Sequence, residues 1–132
     1  MDHTRGHIVN GLSLTSMLAV MGGAAVGALL RWWAALWLNS ADTAFPMGTL
    51  LVNCAGGLLM GLAMAYLENQ PHGVFRLLLV TGFLGGLTTF SAFSGESLLL
   101  LQRGQWTWAV LHALAHVVGA LGCAALGFKL AR

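Results

Sequence analysis

Several polar side chains stand within runs of residues that are otherwise almost wholly apolar. A charge at the centre of a membrane helix costs roughly 2.5–3.5 kcal/mol on insertion scales, so polar groups there usually face the interior of a helix bundle or an aqueous path. We therefore take the following residues as candidates for chemistry: Arg31, Asn53, Thr88, Thr89, Ser91, Ser94, Glu96, His112 and His116.

Asn53 and Arg31 are the candidates in the first half of the chain. The Asn53 amide offers two donor hydrogens and an acceptor, so it can join two helices or bind an ion. Thr49, four residues earlier, adds a hydroxyl on the same helix face. Arg31 stands beside Trp32 and Trp33, where it either extends towards the membrane surface or places a positive charge that attracts anions.

The segment 82–96 is the most informative part of the sequence. It places Gly85-Gly86 just before Thr88-Thr89, halfway along an apolar run, and this favours a break in the helix. Irregular backbone at such a depth is tolerated only where it is buried in protein or lines a cavity. The carbonyl oxygens that a break frees are suitable ligands for a small hard cation such as sodium.

Phe90 and Phe93 follow this break at a spacing of three residues, and Glu96 and Ser97 continue the same helix face. An aromatic pair at this spacing usually packs in a core. Aromatic rings also have a positive edge, so two rings turned edge-on could face an anion without supplying a charge.

His112 and His116 lie four residues apart, on one face of the last apolar run. Histidines at this spacing can bind a metal ion. However, no third ligand is evident besides Glu96, and the chain has no HExxH motif. We therefore favour the interpretation in which this pair holds no metal.

The composition favours a membrane protein. Of 132 residues, 58% are hydrophobic and 8% are charged, whereas about 25% of residues are charged in soluble domains. A chain of this length folded in water would expose large apolar areas. The net charge of +2 is scattered, so nucleic acid is not an expected partner. Cys54 and Cys123 lie in apolar runs, where we expect free, buried thiols.

Four apolar segments are long enough to cross a bilayer, which takes about 20 helical residues. We predict an all-α integral membrane protein with spans at about residues 16–38, 47–67, 75–101 and 105–128, with a break in the third. Short polar connections join the spans, so residues 1–132 are expected to form a single membrane domain. The first apolar stretch is too long for a signal peptide, and we expect it to be retained.

Charge and glycine patterns add two expectations. Positive residues near the helix ends are only weakly biased to one side, which suits a protein that inserts in both orientations, although many other proteins share this feature. The 18 glycines include pairs spaced by four within the spans, which let helix backbones approach closely. The bundle should therefore be tight, with little room for a large substrate.

Three blocks of the sequence resemble the Fluc (CrcB-type) fluoride channels of bacteria, over essentially the whole membrane length. They cover residues 22–31, 48–61 and 85–96, and the third block, which reads GGLTTFSAFS before Gly95 and Glu96, is the most specific. The resemblance implies a homodimer in which two four-helix subunits insert into the inner membrane in opposite orientations, with fluoride pathways at the dimer interface.

The resemblance also implies roles for individual residues. A structural sodium ion at the dimer centre is held by backbone carbonyls, which by motif position belong to Gly85 and Thr88. The residues that match the fluoride pathway are Asn53, Phe90, Phe93, Ser91, Glu96 and Arg31, and we expect Thr89 to contribute a further hydroxyl to this pathway.

The fourth helix departs from the family pattern. Where the family usually has a track of hydroxyl side chains, this chain has His112 and His116 on the corresponding face. These two histidines either donate hydrogen bonds within the track or lie outside it.

The implied function is a fluoride-selective channel. Flow is passive, and in a cell with a negative interior it expels fluoride and confers resistance. No covalent chemistry is involved, so the protein is not expected to be an enzyme. Two alternatives are a small four-helix, proton-coupled multidrug-type transporter, for which Glu96 is the candidate carboxylate, and a non-transporting assembly subunit.

Overall fold

The structure is a computed structural model that describes residues 13–39, 45–68 and 73–132, and every regular element within these ranges is helical. The first two spans are single helices, α1 (Leu14–Leu38) and α2 (Met47–Leu67). The third span (Gly73–Gln102) consists of α3 (Gly73–Arg76), a π-helix (Leu77–Leu84), α4 (Gly85–Leu87) and α5 (Phe90–Gln102). The fourth span is α6 (Trp106–Leu130).

All four spans are long and apolar enough to cross a membrane, so the prediction of an all-α membrane protein is confirmed. The observed ends lie within two residues of the predicted ones. Many large apolar side chains are exposed on the outside of the bundle, where they are suited to lipid. The predicted connections at residues 40–44 and 69–72, and the N-terminal residues before Ser13, lie outside the described residues.

The first span packs against the first half of the third span through glycines. A methyl group on Gly82 would lie 2.7 Å from the carbonyl oxygen of Val20, and one on Gly86 would lie 2.5 Å from that of Ala24. Methyl groups on Gly23 or Gly27 would likewise meet the backbone of the third span. The predicted close approach of helices is therefore confirmed at this contact.

The second and fourth spans pack in the same way. A methyl group on Gly57 would lie 2.5 Å from the carbonyl oxygen of Ala120, and Gly61 and Gly127 also touch the facing backbone. Cys54 and Cys123 are free and half-buried, rather than fully buried as the sequence predicts. The bundle thus contains two tightly packed helix pairs.

The predicted break in the third span is present and lies at Thr88 and Thr89. Both residues are extended, with φ/ψ of −80°/153° and −150°/119°. The Thr89 hydroxyl accepts the N–H of Ala92 at 3.1 Å and so caps the new helix α5. The sequence analysis missed the π-helix that precedes the break. After α5, Gly104 adopts φ of 69° in the tight turn that leads to α6.

Candidate functional site

The side chain of Asn53 holds the break in place from the second span. Its Oδ1 atom accepts the backbone N–H of Thr89 at 2.8 Å, and its Nδ2 atom donates to the Thr89 carbonyl at 3.1 Å. These two bonds satisfy both backbone groups of a residue that has left the helical hydrogen-bond pattern. They also fix which way the Asn53 amide faces.

The break leaves a backbone carbonyl without its usual helical donor. In a continuous helix the Thr89 N–H would bond to the Gly85 carbonyl, but here it bonds to Asn53. Gly85 itself is exposed. The Thr88 hydroxyl donates to the Leu84 carbonyl at 2.8 Å, and its methyl group fills the space beside Gly56. The carbonyls predicted to bind a cation therefore lie where the helix pattern is interrupted.

Arg31 reaches the same region from the first span. Its Nε atom donates to the Gly86 carbonyl at 3.1 Å, and the side chain is half-buried. The structure therefore places Arg31 on the backbone just before the break, rather than beside the other pathway candidates. The sequence alone did not indicate that the Arg31 side chain would donate to the Gly86 carbonyl.

Glu96 lies in α5, after the break, and is at the centre of a chain of polar contacts. The Thr49 hydroxyl donates to Glu96 Oε1, and the amide of Asn39 donates to Thr49 at 3.4 Å. The other carboxylate oxygen, Oε2, lies 3.3 Å from Nε2 of His112. Glu96 therefore bonds to the second and fourth spans at once.

The two histidines continue this chain of contacts towards the break. His112 is fully buried, and its Nδ1 atom lies 3.0 Å from the Ser97 hydroxyl. The ring centroids of His112 and His116 are 4.5 Å apart. Nδ1 of His116 lies 3.2 Å from Nδ2 of Asn53, whereas its Nε2 atom is buried without a hydrogen-bond partner.

We call this set of side chains the polar row. It runs from the facing ends of α1 and α2 to the break in the third span, within an otherwise apolar bundle. Its members are Asn39, Thr49, Glu96, Ser97, His112, His116, Asn53 and Thr89.

Phe93 packs against the polar row, whereas Phe90 faces away from the chain. The Phe93 ring lies 5.4 Å from His112 and 4.9 Å from His116, measured between centroids. Phe90 is 78% exposed and touches Phe93 at a centroid distance of 5.3 Å. Only Phe93 is therefore part of the site within a single chain.

Two open grooves meet at Phe93. The first, of about 420 Å³, is lined by Asn53, Thr88, Thr89, Phe90, Phe93 and His116, together with smaller residues. The second, of about 440 Å³, is lined by Phe93, Ser94 and Ser97 among others. Because both grooves include Phe93, this ring lies between the break and the outer part of α5.

The hydroxyls of the third span divide into two groups. The Ser91 hydroxyl is exposed and lies 3.1 Å from that of Thr89, and the exposed Ser94 hydroxyl donates to the Phe90 carbonyl at 2.8 Å. These two serines lie on the outer surface with Phe90. Ser97 instead faces inwards to His112.

Sequence reasoning missed part of the polar row. Asn39 follows the predicted end of the first span, yet its Oδ1 atom accepts the N–H of Gly48 at 2.7 Å and so joins the first two spans. Thr49 and Ser97 were noted only as neighbours on a helix face. The spacing of Thr49 and Asn53 was the available signal for a polar face on the second span.

A family profile described as CrcB-like protein, Camphor Resistance (CrcB), matches residues 18–128 of the chain. This match covers all four spans except the first turn of α1 and the last two residues of α6. It therefore applies to the whole bundle rather than to one motif.

Curated relatives agree with this match. A protein of Aromatoleum aromaticum named fluoride-specific ion channel FluC is 52% identical over 118 residues, which is 88% of this chain and 90% of the relative. A protein of Bordetella petrii with the same name is 54% identical over 114 residues, covering 85% of this chain and 88% of the relative. One from Pseudomonas aeruginosa is 50% identical over 115 residues, with coverages of 85% and 90%.

Proposed function

The chain belongs to the CrcB-like (camphor resistance) family, and from this premise we propose that it is a membrane channel that passes fluoride. The relatives named fluoride-specific ion channels match 85–88% of the chain at 50–54% identity. This similarity favours a channel over a proton-coupled multidrug-type transporter. Because the relatives are bacterial, the membrane is the inner membrane of a bacterial cell.

The polar row is the structural observation that best supports this proposal. Fluoride is small and strongly hydrated, so a selective pathway must replace its water with hydrogen-bond donors. The row contains the Asn53 amide, the hydroxyls of Thr49 and Thr89, and the imidazoles of His112 and His116, and a passing ion would replace some of the hydrogen bonds that these groups make within the protein. Most of these are neutral donors, which bind an anion without holding it as a fixed positive charge would.

Phe93 is the candidate for a ring-edge contact with the passing ion. Its ring lies against both imidazoles and forms a wall of both open grooves. An anion that moved from one groove to the other would have to pass this ring, whose edge carries partial positive charge. Glu96 lies beyond it and acts as the acceptor that orients the Thr49 hydroxyl and the His112 ring.

We also propose that the channel is a homodimer of antiparallel subunits. In one chain, Phe90 is 78% exposed and the hydroxyls of Ser91 and Ser94 lie on the same outer surface. Hydroxyl groups and irregular backbone are poorly suited to lipid. A second copy packed over this surface would cover them and bring Phe90 and Ser91 to the pathway.

We further propose that a sodium ion lies between the two copies, held by the carbonyls of Gly85 and Thr88. Gly85 is exposed, and the break takes the Thr89 N–H away from its carbonyl. Hard cations prefer such oxygen ligands. A bound sodium would supply positive charge that holds the two broken spans together.

Passive flow through this pathway would export fluoride. The free energy of a monovalent anion falls by about 2.3 kcal/mol for each 100 mV of inside-negative potential when it leaves the cell. The proposed role is therefore resistance to fluoride that enters as the neutral acid, and no covalent step is part of it.

Proteoliposomes test the proposed function directly. We expect vesicles loaded with potassium fluoride to release fluoride to a selective electrode when valinomycin carries the compensating potassium, and to retain chloride in the same assay. Release that requires a proton gradient, or that carries cationic dyes, would instead support the transporter alternative. No flux of any ion from monodisperse protein would support the assembly-subunit alternative.

A second experiment tests the dimer and its sodium ion. Purified protein is analysed by size exclusion with light scattering in sodium and in a large organic cation, N-methylglucamine. We expect a dimer in sodium and a lower unfolding temperature, or dissociation, in N-methylglucamine. A monomer that conducts fluoride would contradict the dimer, and identical stability in both salts would contradict the ion.

A further inference from the structure

We propose that Glu96, His112 and His116 form a separate site for a divalent transition-metal ion of the zinc class, and that an ion bound there blocks the pathway. The blocking effect rests on the proposed function, whereas the binding does not. The site is distinct from the backbone carbonyls at the break, since it is made from side chains of α5 and α6.

The three side chains converge closely enough to bind one ion. One ligand atom from each lies within 4.8 Å of the other two. Glu96 Oε2 and His112 Nε2 are 3.3 Å apart. Two ligands of a tetrahedral zinc ion with bonds of about 2.1 Å are separated by about 3.4 Å. These two atoms therefore already have the required separation, and the His116 ring has to move inwards to complete the set.

His116 carries the second observation that points to a ligand. Its side chain is 4% exposed, and its Nε2 atom is buried without a hydrogen-bond partner. A buried polar atom left unpaired is costly, and native structures usually pair such atoms. A metal ion bound to Nε2 would satisfy it.

The surroundings of Glu96 and His112 can support metal binding without rearrangement. Metal-bound imidazoles usually donate their other ring N–H to an oxygen, and bound carboxylates are themselves hydrogen-bonded. The Ser97 hydroxyl lies 3.0 Å from His112 Nδ1 and can either donate or accept there. The Thr49 hydroxyl donates to the other oxygen of Glu96.

Asn53 opposes metal binding at His116 and so lowers the affinity of the site. The orientation of its amide is fixed by its two bonds to Thr89, so Nδ2 donates to His116 Nδ1. The proton of the neutral ring is therefore on Nε2. A metal ion at Nε2 requires that proton to move to Nδ1, where it would face another donor. Metal binding thus competes with the contact between Asn53 and His116.

The donor set selects the class of ion. Two imidazoles and one carboxylate, with a fourth position open to water or an anion, match zinc and cobalt(II). Magnesium and calcium prefer oxygen ligands and larger coordination numbers, so they are expected not to bind. A divalent ion here would lie in the middle of the polar row and could bind fluoride at its open position, which would stop conduction.

Binding is measured on the whole 132-residue chain purified in detergent, with cobalt(II) absorption in the visible region and zinc competition as the probes. The background variant is His3→Ala/His7→Ala/His72→Ala, because these histidines lie outside the described residues and could bind metal separately. We expect one ion per chain, and a reduction in affinity of about tenfold or more in Glu96→Gln, His112→Ala or His116→Ala. The control Cys54→Ala/Cys123→Ala should keep the affinity of the background.

Asn53→Asp distinguishes the proposal from a structural defect. The proposal predicts a higher zinc affinity for this variant, whereas a structural defect predicts a lower one. A carboxylate oxygen in place of Nδ2 would accept the Nδ1–H of metal-bound His116, so zinc should bind about tenfold more tightly. Weaker binding in Asn53→Asp, or unchanged binding in Glu96→Gln and both histidine variants, would overturn the proposed site. Apparent melting temperatures without metal show whether each variant is folded, and Glu96→Gln, which is isosteric, remains the deciding variant if the histidine variants are not.

The flux experiment separates this inference from the proposed function. Zinc should inhibit fluoride release from vesicles of the background protein, and chelation should restore it, whereas magnesium should have no effect. Zinc binding without inhibition would overturn the blocking role. If the protein shows no fluoride flux even without metal, the proposed function fails, while the cobalt spectrum still decides whether the site exists.

Discussion

The two halves of the third span differ in what they pack against. Before the break, Gly82 and Gly86 lie against the backbone of α1, where even one added methyl group would collide. After the break, α5 contacts the second and fourth spans through the hydrogen bonds of Glu96 and Ser97. The first half is therefore positioned by shape, and the second by polar contacts.

This difference indicates how an irregular backbone is held inside a membrane. Arg31 bonds to the Gly86 carbonyl on one side of the break, and Asn53 bonds to both backbone groups of Thr89 on the other. The close-packed half provides a rigid support, since small residues allow backbone contact. The polar half can then use its side chains for an ion. Four sets of variants test this division, in order of expected effect.

Asn53→Asp should have the largest effect, because it acts on the polar half. It adds a negative charge to the pathway and removes the donor to the Thr89 carbonyl. An uncompensated buried charge costs about 3–5 kcal/mol, so we expect fluoride release to slow by about a hundredfold or more. Gln102→Glu, the same chemical change at an exposed end of α5, is the control. Equal rates in the two variants would remove Asn53 from the pathway.

Gly23→Ala tests the close-packed half. The added methyl group would lie 2.7 Å from the backbone nitrogen of Phe83. We expect a loss of about 1–3 kcal/mol in the free energy of unfolding, measured by thermal or denaturant unfolding in detergent. Gly22→Ala, where nothing lies within 4 Å, is the matched control and should be neutral or slightly stabilising, because alanine has the higher helix propensity. If both variants are equally stable, close packing against α1 does not hold the first half of the third span in place.

Phe93→Ile and Phe90→Ile compare a ring inside the site with one outside it. Ring-edge contacts are worth about 0.5–1.5 kcal/mol, so each variant should slow fluoride release by up to about tenfold. The dimer should remain intact in both. Phe75→Ile, in the half before the break, is the control. A loss in Phe93→Ile alone would mean that Phe90, which is 78% exposed in one chain, is not brought to the pathway by a second copy.

Arg31→Lys should have the smallest effect and separates two roles for this residue. Lysine keeps the positive charge but not the Nε contact with the Gly86 carbonyl. The loss of one hydrogen bond is worth about 1 kcal/mol, and we expect release to slow several-fold in both Arg31→Lys and Arg31→Met. Normal fluoride release in Arg31→Lys with slower release in Arg31→Met would show that the positive charge matters and that the hydrogen bond to the Gly86 carbonyl does not.

The sequence predicted the framework of the fold because the relevant signals are local. Apolar runs of about 20 residues indicate spans, and Gly85-Gly86 before Thr88-Thr89 indicates a break, which is where the helix does end. The predictions for Asn53 and Thr89 also had a local basis. The π-helix at Leu77–Leu84 had no such signal, since its residues are ordinary apolar ones that any buried helix could contain.

The partners of the polar side chains could not be predicted in this way. Asn53 and Thr89 are 36 residues apart, and Asn53 and His116 are 63 apart. Glu96 could be named from the sequence as a candidate third ligand for the two histidines, but only the packing shows that the three side chains converge. The roles assigned to the site residues in fluoride conduction and in sodium binding all remain predictions, and those of Gly85, Thr88, Phe90 and Ser91 depend in addition on a second copy of the chain.

The amino-acid sequence alone determined that this protein lies in a membrane, where its four spans begin and end, and that the third is interrupted, because hydropathy and backbone propensity act between near neighbours. The tertiary structure decided which polar groups satisfy one another. In a medium without water every such group must find a partner within the bundle, and which partner it finds depends on how the four helices pack. The packing places Asn53 at one ring nitrogen of His116 and leaves the other nitrogen without a partner.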